Sequence, residues 1–185
     1  MRTFIAVDIP DAVKQKVGVY ANSLREYFDN GMKWVLPENL HLTIKFLGEV
    51  NKNDLSAVEN CVSQVTSGFS SFMLELSGIG FFPSERKPRV LWIGSDEGGH
   101  TLLDAYQNLE TCLETEGFDR DSKPFSPHLT IGRVRKNWKL VVPDKIPDFD
   151  PVAFEVSGFT VIKSTLTLRG PVYEKLYESN LIANP

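Results

Sequence analysis

Two of the chain's three histidines introduce the same four residues, His41-Leu42-Thr43-Ile44 within "NLHLTIKFLGEV" and His128-Leu129-Thr130-Ile131 within "FSPHLTIGRVRK". At ordinary composition, agreement of the three following residues has a chance of roughly one in a few thousand. On an extended strand side chains alternate, so each histidine shares a face with the threonine two residues on, while Leu and Ile face a core. Two such strands beside one groove would present two imidazoles and two hydroxyls. That set suits a phosphate ester. One imidazole, with an ordinary pKa of about 6.5, can take a proton from an attacking oxygen while the other gives one to the leaving oxygen. The threonine hydroxyls can donate to the non-bridging oxygens, whose charge spreads in the transition state. Two histidines without Cys or acidic partners at ligand spacing fall short of a zinc shell, so no metal or other cofactor is expected. The competing explanation is two similar buried strands whose histidines are core residues. His100, in "EGGH", falls at a helix start and takes no role.

The elements that would hold these strands follow from periodicity. The 185 residues are 42% hydrophobic and 24% charged, an ordinary globular composition for one domain spanning 1–185. No apolar run approaches the roughly 20 residues of a membrane helix, and "MRTFIAVDIP" lacks a signal peptide's apolar stretch, so a cytoplasmic protein with no membrane contact is expected. The net charge of -4 argues against a protein that coats long nucleic acid, but not against a local phosphate pocket. A monomer is expected. "RTFIAVDIP" alternates as a strand buried on both faces, with Asp11 placed to cap a helix carrying Val13, Val17, Tyr20, Leu24 and Phe28 and stopped by "DNG" at 29–31. "KWVLP" and "LHLTIKFLG" are strands. Leu55, Val58, Val62 and Val65 mark a second helix, and Leu102, Tyr106, Leu109 and Leu113 a third that ends at Gly117. "FMLELSGIGFF", "PRVLWIG" and "PHLTIGRVR" are further strands, "VVPDKIPDFDP" is an irregular loop, and "FEVSGFTVIKSTL" and "PVYEKLYES" close the chain as two strands. The order β-α-β-β-α-β-β-α-β-β-β fits an α+β fold with helices packed on sheets. Cys61 and Cys112 each lie on a helical stripe without Cys-x-x-Cys spacing and are expected as buried reduced thiols.

Taken together, "RTFIAVDIP", "WVLPENLHLTIKFLG", "PRVLWIG", "PFSPHLTIGR" and "STLTLRGPVYEKLYE" resemble, nearly end to end, the two-histidine phosphoesterase superfamily. The resemblance is to its RNA 2',3'-cyclic phosphodiesterases, also called 2'-5' RNA ligases. It implies a bilobed fold with pseudo-twofold symmetry, two antiparallel sheets lining a central cleft with helices outside, and metal-independent hydrolysis of RNA 2',3'-cyclic phosphate ends to 2'-phosphates. It further implies His41 as general acid on the departing 3' oxygen and His128 as general base on water. Reverse 2'-5' joining is chemically allowed, with the two histidines exchanging roles. Alternative substrates are small cyclic phosphates such as ADP-ribose cyclic phosphate, and a non-catalytic nucleotide-binding module is the alternative of another class.

Five residues are expected to bind substrate: Thr43, Thr130, Phe46, Arg133 and Lys45. Phe46 and Arg133 each lie five residues after their histidine, where the resemblance implies a base-stacking aromatic and a phosphate-binding arginine. Strict alternation points both toward the core, unless the strand ends by Phe46 and a bulge at Gly132 re-aims Arg133. Lys45 shares the parity of His41 and Thr43 and is expected beside the RNA phosphate. Trp34 and Trp92 could stack a nucleobase or fill a core. Ser164, Pro171 and Tyr173 match the closing segment as pocket-edge residues.

Overall fold

The alternation in "RTFIAVD" forms strand β1 (Arg2–Asp8), buried on both faces as expected. Ile5 and Val7 enter the main core, while Phe4 and Ala6 join Ile162 in a small second cluster under Tyr173. Helix α1 (Asp11–Ser23) follows, extended by a 3-10 turn at Leu24–Glu26, then β2 (Met32–Trp34), β3 (His41–Glu49), α2 (Leu55–Thr66), β4 (Phe72–Phe82) and β5 (Val90–Ser95). After these come α3 (Gly99–Thr115), β6 (His128–Val134), β7 (Val152–Val156), β8 (Gly158–Thr167) and β9 (Gly170–Asn180). The structure, a computed structural model, describes residues 1–28, 30–168 and 170–184; Asp29 of the "DNG" stop and Arg169 of the closing segment lie outside the described residues.

The strands form two antiparallel sheets, one ordered β3-β1-β8-β9 and the other β2-β6-β5-β4-β7. The expected α+β fold of two sheets with helices packed on them is present. Both sheets hold the same unit, a strand, a helix and a returning antiparallel strand. In one it is β1, α1 and β3, with β2 lent to the other sheet on the way; in the other it is β5, α3 and β6. The sheets approach each other along β3 and β6, the two strands that begin with a histidine. A single apolar cluster runs from β1 and β3 through the three helices to β5 and β6.

Three expectations about element bounds and the cysteines are corrected. Asp11 is the first residue of α1 rather than its cap; Pro10 takes that place, and Asp11 contributes its charge to the first turn. The stretch "FEVSGFTVIKSTL" is two strands in different sheets. The chain leaves the five-stranded sheet after Val156, and β8 begins at Gly158, where a Cβ would lie 2.6 Å from the Ser179 carbonyl oxygen. Finally, Cys61 and Cys112 are joined as a disulfide with an S–S distance of 2.12 Å. Helices α2 and α3 pack side by side and bring the two Cα atoms to 5.6 Å, a proximity that two separate stripes 51 residues apart in sequence do not reveal.

Neither histidine strand is regular, and both break at the same place. Thr43 pairs with Ala6 and Lys45 with the next residue, Ile5, so Ile44 is an inserted residue and Ile44 and Lys45 together oppose Ile5. Likewise Thr130 pairs with Trp92 and Gly132 with Leu91, leaving Ile131 inserted and Ile131 and Gly132 opposite Leu91. A bulge of this kind shifts the parity of everything beyond it. Both residues of each pair face the core, and the next side chain, Phe46 in β3 and Arg133 in β6, turns outward. In β6 the second bulge position is Gly132, and a Cβ there would meet Met32 Cε at 2.5 Å, so the methionine end would have to shift. β3 is an edge strand with nothing like β2 over it, and there the same position holds Lys45.

Lys45 is therefore corrected: it is one of the most buried side chains, 2% exposed, and reaches away from the histidine face. Its ammonium pairs with Glu110 of α3, donates to the Asp119 carbonyl at 2.9 Å and lies 3.7 Å from Asp121 Oδ1. The other Glu110 oxygen accepts from the Asp121 N–H at 2.9 Å, so the segment between α3 and β6 is tied to β3 of the opposite sheet. Truncating one partner would strand a buried charge. Lys45→Ala is expected to cost about 3–5 kcal/mol in urea unfolding, with much of it recovered in Lys45→Met combined with Glu110→Leu. An unchanged midpoint in the single variant would contradict this role.

Candidate active site

The faces left outward by β3 and β6 enclose one cleft of about 710 Å³. His41, Thr43 and Phe46 line it from one sheet and His128, Thr130 and Arg133 from the other, so six of the seven expected site residues are brought together and Lys45 is not. Trp34, Ser164, Pro171 and Tyr173 are also in its walls. Trp92 lies behind the wall, filling the space over Gly80 and Gly94, where added Cβ atoms would come within 2.3 and 3.2 Å of its ring. His100 sits at the start of α3, away from the cleft.

Each imidazole is held by the chain just before it. His41 Nδ1 lies 2.7 Å from the Asn39 carbonyl oxygen and His128 Nδ1 lies 2.7 Å from that of Ser126. A carbonyl only accepts, so Nδ1 carries the proton and donates it in both rings, leaving each Nε2 to give or take a proton. Aromatic neighbours fix the ring planes. His41 stands between Phe4, with centroids 4.7 Å apart, and Tyr173, edge-on at 5.0 Å. His128 is edge-on to Phe82 at 4.9 Å and to Trp92 at 6.3 Å. Phe4 and Phe82 were absent from the sequence-based set; Phe4 was legible as the residue sharing Ala6's face of β1, whereas Phe82 is reached only through the β4–β5 pairing.

Charge distribution in the cleft inverts that of the chain. Although the protein carries a net charge of -4, the charged residues among those lining the cleft are Arg2, Lys33 and Arg133, with no carboxylate. Lys33 pairs with Arg133 across β2 and β6, which a sequence pattern for so short a strand does not reveal. Burial pushes both imidazoles below the ordinary 6.5, partly opposed by their carbonyl bonds, and the Arg133 charge lowers both further. Asp8 acts upward on His41 and Lys14 downward. The Tyr173 phenol is raised by burial, against the pull of Arg133 and Arg2. Among the described residues no group of three or more His, Cys, Asp or Glu side chains could hold a metal ion, and no helix is long and apolar enough to cross a membrane.

A family model described as LigT like Phosphoesterase matches residues 7–92 and again 93–173, one match for each histidine strand. The chain belongs to the LigT-like phosphoesterase family. Its relatives include proteins named RNA 2',3'-cyclic phosphodiesterase from Thermotoga maritima, 38% identical over 181 residues (96% of this chain and 94% of the relative), and Archaeoglobus fulgidus, 41% identical over 180 residues (95% and 98%). The crystal structure of TT0787 of Thermus thermophilus superposes with a TM-score of 0.81 at 29% identity, covering 100% of both chains. E. coli LigT complexed with 3'-AMP shares the fold, with a TM-score of 0.80 at 24% identity over 97% of each chain. Each match to this LigT-like family model contains one histidine strand and the helix of its unit, α1 with β3 in the first and α3 with β6 in the second, while the boundary between the matches falls within β5.

Both imidazoles should titrate below 6.5 in the free protein. Arg133→Gln removes a cation that disfavours imidazolium, so both pKa values should rise, readable from the His41 and His128 ring resonances in an NMR pH titration. A downward move of either would contradict the shared electrostatic influence of Arg133.

Proposed function

We propose that this LigT-like phosphoesterase is an RNA 2',3'-cyclic phosphodiesterase that opens the cyclic phosphate to a 2'-phosphate without a metal ion. The observation that carries the reading is the matched pair of imidazoles in one cleft, each with Nδ1 tied to a carbonyl and Nε2 left for proton transfer. Family membership and relatives with that activity in their names, matched over nearly their whole length, support the same reaction.

In the proposed step His128 Nε2 takes a proton from water as its oxygen attacks phosphorus, while protonated His41 gives its Nε2 proton to the departing 3' oxygen. The P–O3' bond breaks, and the products are a 2'-phosphate and a 3'-hydroxyl. Thr43 and Thr130 donate to the non-bridging oxygens and the Arg133 guanidinium balances their charge. Phe46, exposed at the cleft mouth, offers a flat apolar face to the terminal base. With a 5'-hydroxyl in place of water the same displacement, with both histidines keeping these roles, yields a 2'-5' linkage, and it is the return step that cleaves this linkage in which the two histidines exchange roles.

The test is turnover in EDTA of a short RNA ending in 2',3'-cyclic phosphate. The intact protein should release a 2'-phosphate, and His41→Ala and His128→Ala should each lose on the order of a hundredfold or more in kcat. Binding without turnover by the intact protein would make the cleft a nucleotide-binding module. Activity that survives loss of either histidine would remove the acid–base pair.

A further inference from the structure

The cleft does not end at the histidines. Arg2, Ser164 and Leu166 line it and also line an adjoining groove of about 350 Å³, whose other walls include Glu49 and Lys163. Arg2 shares a face of β1 with Phe4, whose ring lies against His41. Two residues along a strand is about 7 Å, so Arg2 marks a position one step from the imidazole rather than beside it. The charge of Arg133 is among the leading influences on His41, His128 and Tyr173, and that of Arg2 is among those on Tyr173.

Arg2 also has no carboxylate partner among the described residues. Glu49, across from it in the β1–β3 ladder, is engaged by the Met1 amino group at 3.1 Å, and Lys163 is engaged by Glu174 at 2.7 Å. An exposed guanidinium at the junction of two cavities that Ser164 also lines is suited to a planar or tetrahedral anion.

A 2',3'-cyclic phosphate occupies the 3' end of a strand, so every other phosphate of the substrate lies on its 5' side. We propose that Arg2, with the Ser164 hydroxyl, binds the phosphodiester attached to the 5' oxygen of the terminal ribose, a second phosphate subsite that selects oligonucleotide ends over mononucleotide cyclic phosphates. This rests on the phosphodiesterase reading above. The scissile phosphate lies between His41 and His128 with Arg133, and the strand leaves along β1 toward Arg2 and the second groove.

The experiment compares kcat/KM for adenosine 2',3'-cyclic phosphate with that for ApA ending in 2',3'-cyclic phosphate. The intact protein should favour the dinucleotide by about tenfold, the scale of one charge-assisted contact. In Arg2→Gln that ratio should fall to near one, and Arg2→Lys should restore most of it. The slope of log kcat/KM against log salt for the dinucleotide should become shallower by about 0.7 in Arg2→Gln. A ratio near one in the intact protein, or a ratio unchanged by Arg2→Gln, overturns the subsite while leaving the phosphodiesterase reading in place. Should the intact protein turn over neither compound, that reading falls. Binding of ApA 2'-phosphate against adenosine 2'-phosphate by the intact protein and Arg2→Gln then decides the subsite, since equal affinities in both proteins would remove it.

Discussion

The inserted residues Ile44 and Ile131 set what each histidine strand can present. Without them, the residue five places after each histidine would point into the core, and the cleft would have histidines and threonines but neither Phe46 nor Arg133. Each bulge allows a strand to keep Leu and Ile anchored while placing His, Thr and the later residue on one polar wall. The sheets around it accommodate the distortion in different ways. β6 is covered by β2 and takes glycine where Met32 presses closest, whereas β3 lies at a sheet edge and fills the corresponding place with Lys45. The Lys45–Glu110 pair then becomes a tie between β3 and the helix that precedes β6.

The imidazoles are prepared by surroundings that do not themselves react. Carbonyl oxygens two residues earlier fix the ring protons, aromatic rings fix the planes, and burial with the nearby Arg133 charge favours the neutral form. A neutral imidazole with Nδ1 protonated is a base at Nε2, and on protonation it is an acid at the same atom. Either histidine can therefore serve either role without moving. The local cation excess accounts for how an acidic chain can host an anionic ester: among the described residues that line the cleft the charged ones are cations, and the nearby Asp8 acts on His41 from outside that lining.

Much of this was legible in the residues. Periodicity located the three helices and most strands, and His-Leu-Thr-Ile located the site because it occurs twice, since a single alternation of apolar and polar residues marks any half-buried strand. Two kinds of information were missing. Parity beyond a bulge depends on the partner strand, so Lys45 was assigned to the polar face although it enters the core, and Gly132 alone hinted at the break. Contacts between elements far apart in sequence were invisible as well: the Cys61–Cys112 disulfide, the aromatic rings against each histidine, and the approach of Lys33 to Arg133 all require knowing which faces meet.

The two halves are alike in what would move protons and unlike in what would recognise the substrate. The same register places His41 opposite Asp8 and His128 opposite Gly94, and the same bulge follows in each strand. Yet the residue turned outward is a phenylalanine on one side and an arginine on the other. A twofold-symmetric pair of acids and bases could act on a phosphorus in either direction. In the proposed reaction an apolar face on the β3 side and a cation on the β6 side would remove that ambiguity, because a nucleoside cyclic phosphate is itself apolar at one end and charged at the other. Direction, on this view, is set five residues downstream of the histidines rather than by the histidines themselves.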